Sequence, residues 1–345
     1  EQQTEFKGAA TASAFSSDGQ ISAISSSDPS QEKTTVQFWK TNSGHSATVE
    51  ISQDKSVNKF ITFSQNNKFF ATASDDNTVR VWRVPNDDQF APYPKAPIEV
   101  SGNLVQQFSS DEIGSSVEAI ALSPDGLRLV TAGADNTAAL WEVATKQPLA
   151  RWNHDSRINA VIFSSQGNFI ATASDDNKAK VFQKNGQQQC ATLQHEGGVV
   201  AIAFSHHENY LATGSLDGSG RVWDIKSCQE VRRLNHAGKV NAVTFSSDDQ
   251  FVATASDDRT ARVWETTVKG REVALLDHDK QVNAVVFKPQ DDQQIVTASD
   301  DQTAKVWFWR LEDLAPKACE HITDDLTQKE WKRYVGNGNY RKSCP

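Results

Sequence analysis

The chain repeats itself about every 41 residues, and that period limits what it can fold into more than any other feature. The phrase at residues 157–163 (RINAVIF) recurs at 239–245 (KVNAVTF) and at 281–287 (QVNAVVF), and a looser copy ends at Phe204. The phenylalanines at 163, 204, 245 and 287 stand 41, 41 and 42 residues apart. A second phrase, Ala-Thr-Ala-Ser-Asp-Asp, starts at Ala71, Ala171 and Ala253, and residues 296–301 are its close relative. Each unit closes with an aromatic residue: Trp39, Trp82, Trp141, Phe182, Trp223, Trp264 and Trp307, which makes seven units. The step from Trp82 to Trp141 is 59 residues, so an insertion sits between units two and three.

Within a unit, short alternating runs are separated by Gly, Asn and Asp clusters, the pattern of half-buried strands joined by tight turns. Four strands in about 41 residues, seven times over, predict an all-β fold: a single seven-bladed β-propeller. One blade alone leaves both apolar faces wet. Stacking blades in a ring buries them. The phrases Arg221-Val222-Trp223-Asp224 and Ala-Thr-Ala-Ser-Asp-Asp-x-Thr-Ala-Arg-Val-Trp resemble WD-repeat strands over residues 9–310 or so, most closely in units four to seven. That resemblance implies a propeller domain at 1–310. It also implies that residues 1–8, through Thr4, Glu5 and Phe6, add the outer strand of the last blade.

Composition excludes several classes. No apolar run approaches the roughly 20 residues needed to cross a bilayer. The start, Glu1 to Glu5, lacks the basic and apolar regions of a signal peptide. There is no methionine, so the expectation is a piece of a longer protein. A net charge of −9 without a basic stripe argues against nucleic acid as a partner. Cys190, Cys228, Cys319 and Cys344 form no C-x-x-C pair, so neither zinc nor a disulfide scaffold is expected, and a reducing cytoplasm is. A bridge between Cys319 and Cys344 is left open. No P-loop, Gly-x-Ser-x-Gly elbow or His-Glu-x-x-His is present, so no cofactor, metal or catalytic residue is expected. His206, His207 and Glu208 are read as a solvated turn.

Three stretches depart from the repeat. The turn before the third strand of unit one reads as swollen, from Ser25 to Lys33. Residues 85–116, with Pro92, Pro94 and Pro97 and exposed-looking Phe90 and Tyr93, are a tolerated loop or a second contact site. After Trp309, residues Leu311, Leu314, Ala315, Ala318, Cys319 and Ile322 fall at steps of three and four, and Thr327 to Glu330 has capping-box spacing. This predicts a helical tail over 311–345, pinned to the ring by residues such as Cys319, Trp331 and Tyr334. The phrases Leu-Thr-x-x-Glu-Trp-x-x-Tyr and Tyr-Arg-x-Ser-Cys-Pro are similar to the ending of bacterial, including cyanobacterial, WD-repeat proteins with an N-terminal STAND-type NTPase. That similarity implies a C-terminal sensor, with nucleotide-binding and effector domains upstream in the same polypeptide.

A histidine, a threonine, an aspartate and a tryptophan recur at fixed spacing. The sets are His195, Thr213, Asp217 and Trp223; His236, Thr254, Asp258 and Trp264; and His278, Thr297, Asp301 and Trp307. His154, Thr172 and Asp176 close on Phe182 instead. A catalytic site is needed once, whereas this set recurs, so it reads as a buried hydrogen-bond network that stiffens blades. Two further positions are expected on the face where the His and Asp loops open. They are Asn58, Asn159, Asn241 and Asn283, and Asp75, Asp175, Asp257 and Asp300. Blade five departs with Val200 and Leu216, and blade three with Glu118 and Ala134. Asp-Asp-Asn is also good turn chemistry, so each residue has a plain reading beside the functional one. The functions in view are a ligand-sensing module, a scaffold without switching, and an enzyme. The last lacks any asymmetric cluster. The partner is expected to be a protein or peptide, and the isolated domain a monomer.

Overall fold

Alternation along the chain becomes antiparallel meanders. The computed structural model describes residues 9–28, 33–43, 45–52, 57–90, 103–267, 271–288 and 292–310. Within these, strands form seven sheets, six of four strands and the last of three. Blade 4 is representative: Ile158–Phe163 innermost, then Phe169–Ser174, Lys178–Gln183 and, outermost, Gln188–Gln194. The other inner strands are Ala9–Phe15, Asn58–Phe63, Val117–Leu122, Val199–Phe204, Val240–Phe245 and Val282–Phe287, in blades 1, 2, 3, 5, 6 and 7. No helix among the described residues is long and apolar enough to cross a membrane.

The second strand of each blade explains the recurring Ala-Thr-Ala-Ser phrase. In Phe169–Ser174 every residue after the first is buried, so the strand is covered on both faces. Small side chains let flanking sheets approach closely, and the larger residues of the neighbouring blade fill the space. Six buried clusters lie between successive blades from 1 to 7. Between blades 4 and 5, for example, Ala171, Ala173, Val181 and Leu193 meet Val199, Leu211 and Trp223. Between blades 7 and 1 the described residues form no such cluster. Val286 and Val306 stand at positions equivalent to Ile162 and Val181, which face the next blade. They are 51% and 60% exposed, and Phe15 is 66% exposed. The proposed strand at residues 1–8 and the tail at 311–345, with Cys319 and Cys344, lie outside the described residues.

Two local devices set the geometry of the ring's faces. Every inner strand carries a bulge near its start, at Thr11, Lys59, Glu118, Asn159, Val200, Asn241 and Asn283. A bulge re-aims one side chain without losing the ladder. At the other end, the first turn of each blade holds one residue at positive φ: Gly19, Asn67, Gly126, Gly167, Glu208, Asp249 and Asp292. Non-glycine residues adopt this conformation at a cost. Here each uses its side chain to hold the preceding blade. Asn67 accepts from the Ser17 amide, Glu208 from that of Gln166, Asp249 from those of His206 and His207, and Asp292 from that of Ser247. In blade 3, Gly126 instead makes room for Phe69, which a Cβ would meet at 2.2 Å. Glu208 and the two histidines thus belong to an inter-blade clamp.

Several expectations are corrected. Residues Ser25 to Asp28 are not part of a swollen turn. They complete the strand Ile21–Asp28, whose Ser26, Ser27 and Asp28 pair with Thr35, Thr34 and Lys33. Phe90 is buried, packed with Phe70 and Trp82 beneath the Lys40 ammonium. Part of the insertion is ordered into the outer strand Leu104–Phe108 and a one-turn helix, Ser110–Ile113, capped by Ser109 and Glu112. Tyr93, Pro92, Pro94 and Pro97 lie outside the described residues. Cys190 and Cys228 form a disulfide, with Cα atoms 5.6 Å apart. Their separation of 38 residues is close to one repeat, which sets them side by side on adjacent blades. Such bridges persist in oxidising surroundings, so a reducing cytoplasm does not follow from the cysteine spacing.

Candidate functional site

The recurring polar sets meet as chains of hydrogen bonds. Trp223 Nε1 donates to Thr213 Oγ1 at 2.9 Å, Thr213 lies 2.6 Å from His195 Nε2, and His195 Nδ1 lies 3.1 Å from Asp217 Oδ2. The same three links measure 3.0, 2.7 and 2.8 Å through Trp264, Thr254, His236 and Asp258. They measure 2.7, 2.7 and 2.8 Å through Trp307, Thr297, His278 and Asp301. His154 reaches Thr172 at 2.8 Å and Asp176 at 2.7 Å, next to Phe182. Each histidine follows the outer strand of one blade and binds the threonine and aspartate of the next, so the sets span blades 3 to 7.

Indole N–H groups only donate, so the threonine oxygen accepts from tryptophan. A neutral histidine that accepts the threonine proton at Nε2 donates from Nδ1 to the aspartate carboxylate. Burial favours that state. It pushes His195 down to about 4 and lowers His154 and His236 as well. Burial by itself would raise the Asp258 carboxyl, but the Thr260 hydroxyl, His236 and the Ala237 amide together bring it to about 2. Asp217 is lowered similarly: its burial is outweighed by the Ser219 hydroxyl and the amides of Glu196 and Ser219.

The grouping of a hydroxyl, an imidazole and a carboxylate is also that of a nucleophile with its base. Here Thr172, Thr213, Thr254 and Thr297 are fully buried, so none can reach a substrate. Blades 2 and 3 keep only the indole-to-threonine bond, Trp82 to Thr72 at 3.2 Å and Trp141 to Thr131 at 2.9 Å. In blade 4, Phe182 lacks an N–H, and Trp152 stacks on it with ring centroids 4.2 Å apart. The repeat pattern did not single out Trp152, because its partner ring comes from the next blade.

Around the channel end where these loops open, the expected Asn and Asp positions meet in pairs. Asn159 donates to Asp175 at 2.6 Å and to the Val199 carbonyl of the next blade at 3.0 Å. Asn241 does the same with Asp257 at 2.6 Å and Val282 at 2.9 Å. Asn283 bonds Asp300, whose second oxygen accepts from Gln281 at 2.7 Å. Asp75 accepts from the Val57 amide at 2.7 Å. The four aspartates are exposed. Asn58 does not belong with them. It is fully buried, bonded to Ser25 and Ser74, and pairs in the ladder where Ile158 does. Exposed Lys59 occupies the bulge position that Asn159 holds in blade 4. Counting back from Phe63 to the bulge, instead of matching asparagines, would have shown this. In blade 3, Glu118 binds Arg157 of blade 4, and Ala134 stands in place of the aspartate. In blade 5, Val200 and exposed Leu216 interrupt the polar pattern.

The opposite channel end opens on a cavity of about 540 Å³ lined by Phe15, Phe63, Leu122, Phe163 and Phe204. Among the described residues, no group of three or more His, Cys, Asp or Glu could hold a metal ion.

Comparisons with known proteins agree with this geometry. The model for WD40 (WD domain, G-beta repeat) matches residues 36–83, 102–142, 146–183, 187–224, 228–265 and 270–307. Protein hir1 of Emericella nidulans and Protein HIR1 of Aspergillus oryzae are each 35% identical over 91 residues, which is 25% of this chain and 8% of each relative. The chain therefore matches less than a tenth of those relatives' length. A chain in the solved "Crystal Structure of Mitotic Checkpoint Complex" superposes with a TM-score of 0.66 at 16% identity, covering 85% of both chains, a likeness of fold alone. With the repeat model matched over most of its length, the chain belongs to the WD40 (G-beta) repeat family.

Proposed function

We propose that this propeller binds a protein or peptide partner through the channel end that carries Asp75, Asp175, Asp257 and Asp300. The observation that carries the reading is the exposure of these carboxylates beside one exposed leucine, Leu216, on a face otherwise held rigid by the buried networks. A rigid face with charged groups around an apolar spot suits protein recognition, and WD40 propellers typically act as non-enzymatic binding platforms. The negative rim favours a partner with a basic surface. In its finer form the protein is the C-terminal sensor of a bacterial STAND-type signalling NTPase, and binding repositions upstream domains. Support for that form is the sequence of the tail. A scaffold role without switching rests on the repeats alone.

The test is affinity capture from source cells, comparing wild type with Asp75, Asp175, Asp257 and Asp300 all changed to Lys. Partners lost by the variant at unchanged thermal stability support the reading. Equal capture removes it. A reading frame upstream of Glu1 without an NTPase would remove the sensor form and leave the scaffold.

A further inference from the structure

Blade 5 breaks the rim where blades 4, 6 and 7 set an asparagine against an aspartate. Val200 and Leu216 stand there instead, and Leu216 is 49% exposed although its strand neighbours are buried. An exposed leucine at a position filled elsewhere by turn-forming aspartate brings no packing gain to the blade. Its surroundings are specific. A side chain on Gly198 would meet Asp175 Oδ1 of blade 4 at 2.8 Å and Leu216 Cδ1 at 3.2 Å. The bare backbone of Gly198 thus lets a carboxylate from one blade and a leucine methyl from the next come within about 6 Å of each other across the seam. Asp175 Oδ1 already accepts from Asn159, and an ionised carboxylate has capacity for more donors. Glu196, two residues before Gly198, is largely exposed and faces Arg233 of the same blade at 3.9 Å.

We infer that the Asp175–Gly198–Leu216 junction is the anchor point of the partner, and that it takes a lysine or arginine side chain of a peptide segment. This rests on the proposed face and deepens it. Such a side chain is apolar along its stem and charged at its tip. Its methylenes would cover Leu216 while its head meets the Asp175 carboxylate. A purely acidic patch would not select a stem, and a purely apolar one would not select a charge. Asp257 and Asp300 are bonded to their asparagines as Asp175 is, so what distinguishes this junction is the exposed Leu216 of blade 5.

The experiment uses the whole chain with isotopically labelled leucine methyls and backbone amides. It is titrated with a blocked tripeptide bearing a central lysine, then with norleucine or glutamate at that place. The lysine peptide should shift the Leu216 methyls and the Gly198 amide saturably. Norleucine should bind at least about threefold more weakly, within the range of one exposed charge pair, and glutamate should leave both signals unmoved. Leu216→Ser and Asp175→Asn should each weaken the lysine response by about as much. Shifts confined to Asp257 and Asp300, equal responses to lysine and norleucine, or no shift at Leu216 and Gly198 would each overturn the inference. Capture separates this from the wider reading. Partners lost with the four Lys changes but kept by Leu216→Ser would leave the face standing and remove the junction. Partners kept in both would remove the face itself.

Discussion

The arc from blade 3 to blade 7 and the arc through blades 1 and 2 come from one repeat but are joined differently. Across the first, each junction carries a histidine from one blade to the threonine and aspartate of the next. Across the second, aromatic packing takes that place: Phe38 and Phe70 meet with centroids 4.9 Å apart, Phe70 stacks on Trp82, and Phe90 closes the cluster. Between blades 2 and 3 the helix Ser110–Ile113 stands where the other junctions have histidine, and buries Ile113. The buried network is therefore one of two solutions to the same problem, which is to join twisted sheets without leaving polar groups unpaired. The junction of blades 7 and 1 shows neither solution among the described residues.

That contrast is most sharply tested by a charge on each side of it. Val263 is fully buried in the junction of blades 6 and 7, and Val306 is its exposed counterpart in blade 7. Val263→Asp should cost about 3 kcal/mol or more, while Val306→Asp should cost under about 1 kcal/mol. Equal losses in chemical unfolding would show that residues 1–8 or 311–345, or blade 1, cover Val306. The Cys190–Cys228 bridge lies within the networked arc. Reducing it should cost about 2–4 kcal/mol, read as a drop in denaturation midpoint that Cys190→Ser reproduces without reductant. Breaking one network comes next. Asp258→Ala should lose about 1–3 kcal/mol, and Asp135→Ala in blade 3, which serves no histidine, distinctly less. Similar losses would make the Asp turn, not the histidine link, the stabilising part.

The last comparison is a pH dependence. His195 is lowered in the folded chain from 6.5 to about 4, so between those values the unfolded chain binds the extra proton. Stability from this group is therefore full above about pH 6.5 and declines as pH falls towards 4. His154 and His236 act in the same direction. His206, raised by its bond to Asp249, acts in the opposite direction, but it is half exposed and contributes less. Hydrogen-exchange protection factors, referred to the intrinsic exchange rate at each pH, should fall on acidification in blades 4 to 6 before blades 2 and 3. A uniform fall would break the comparison.

Much of the fold was legible because period and alternation are local. The 41-residue step, the small-residue strand and the closing aromatic each follow from what one blade must bury, so seven units could be counted directly. The His, Thr, Asp and Trp sets were legible for the same reason, since each member repeats in phase. Asn58 was misassigned because matching residue type ignored the bulge: one residue of register turns a rim position into a buried one. Phe90 looked exposed because its loop is proline-rich, yet the ring found a place under Lys40 that only the assembled blades create.

By itself, the order of residues determined the number of blades, the strands within them and the polar sets, because each depends on neighbours within one repeat. Only the tertiary structure decided what happens between blades. The Cys190–Cys228 bridge, the stacking of Trp152 on Phe182 and the meeting of Asp175 with Leu216 over Gly198 all join residues of different units. The reason is physical. A repeat dictates its own pleat and turns, but the distance between two side chains on adjacent sheets depends on how closely the sheets pack, and the volume of every residue between them sets that.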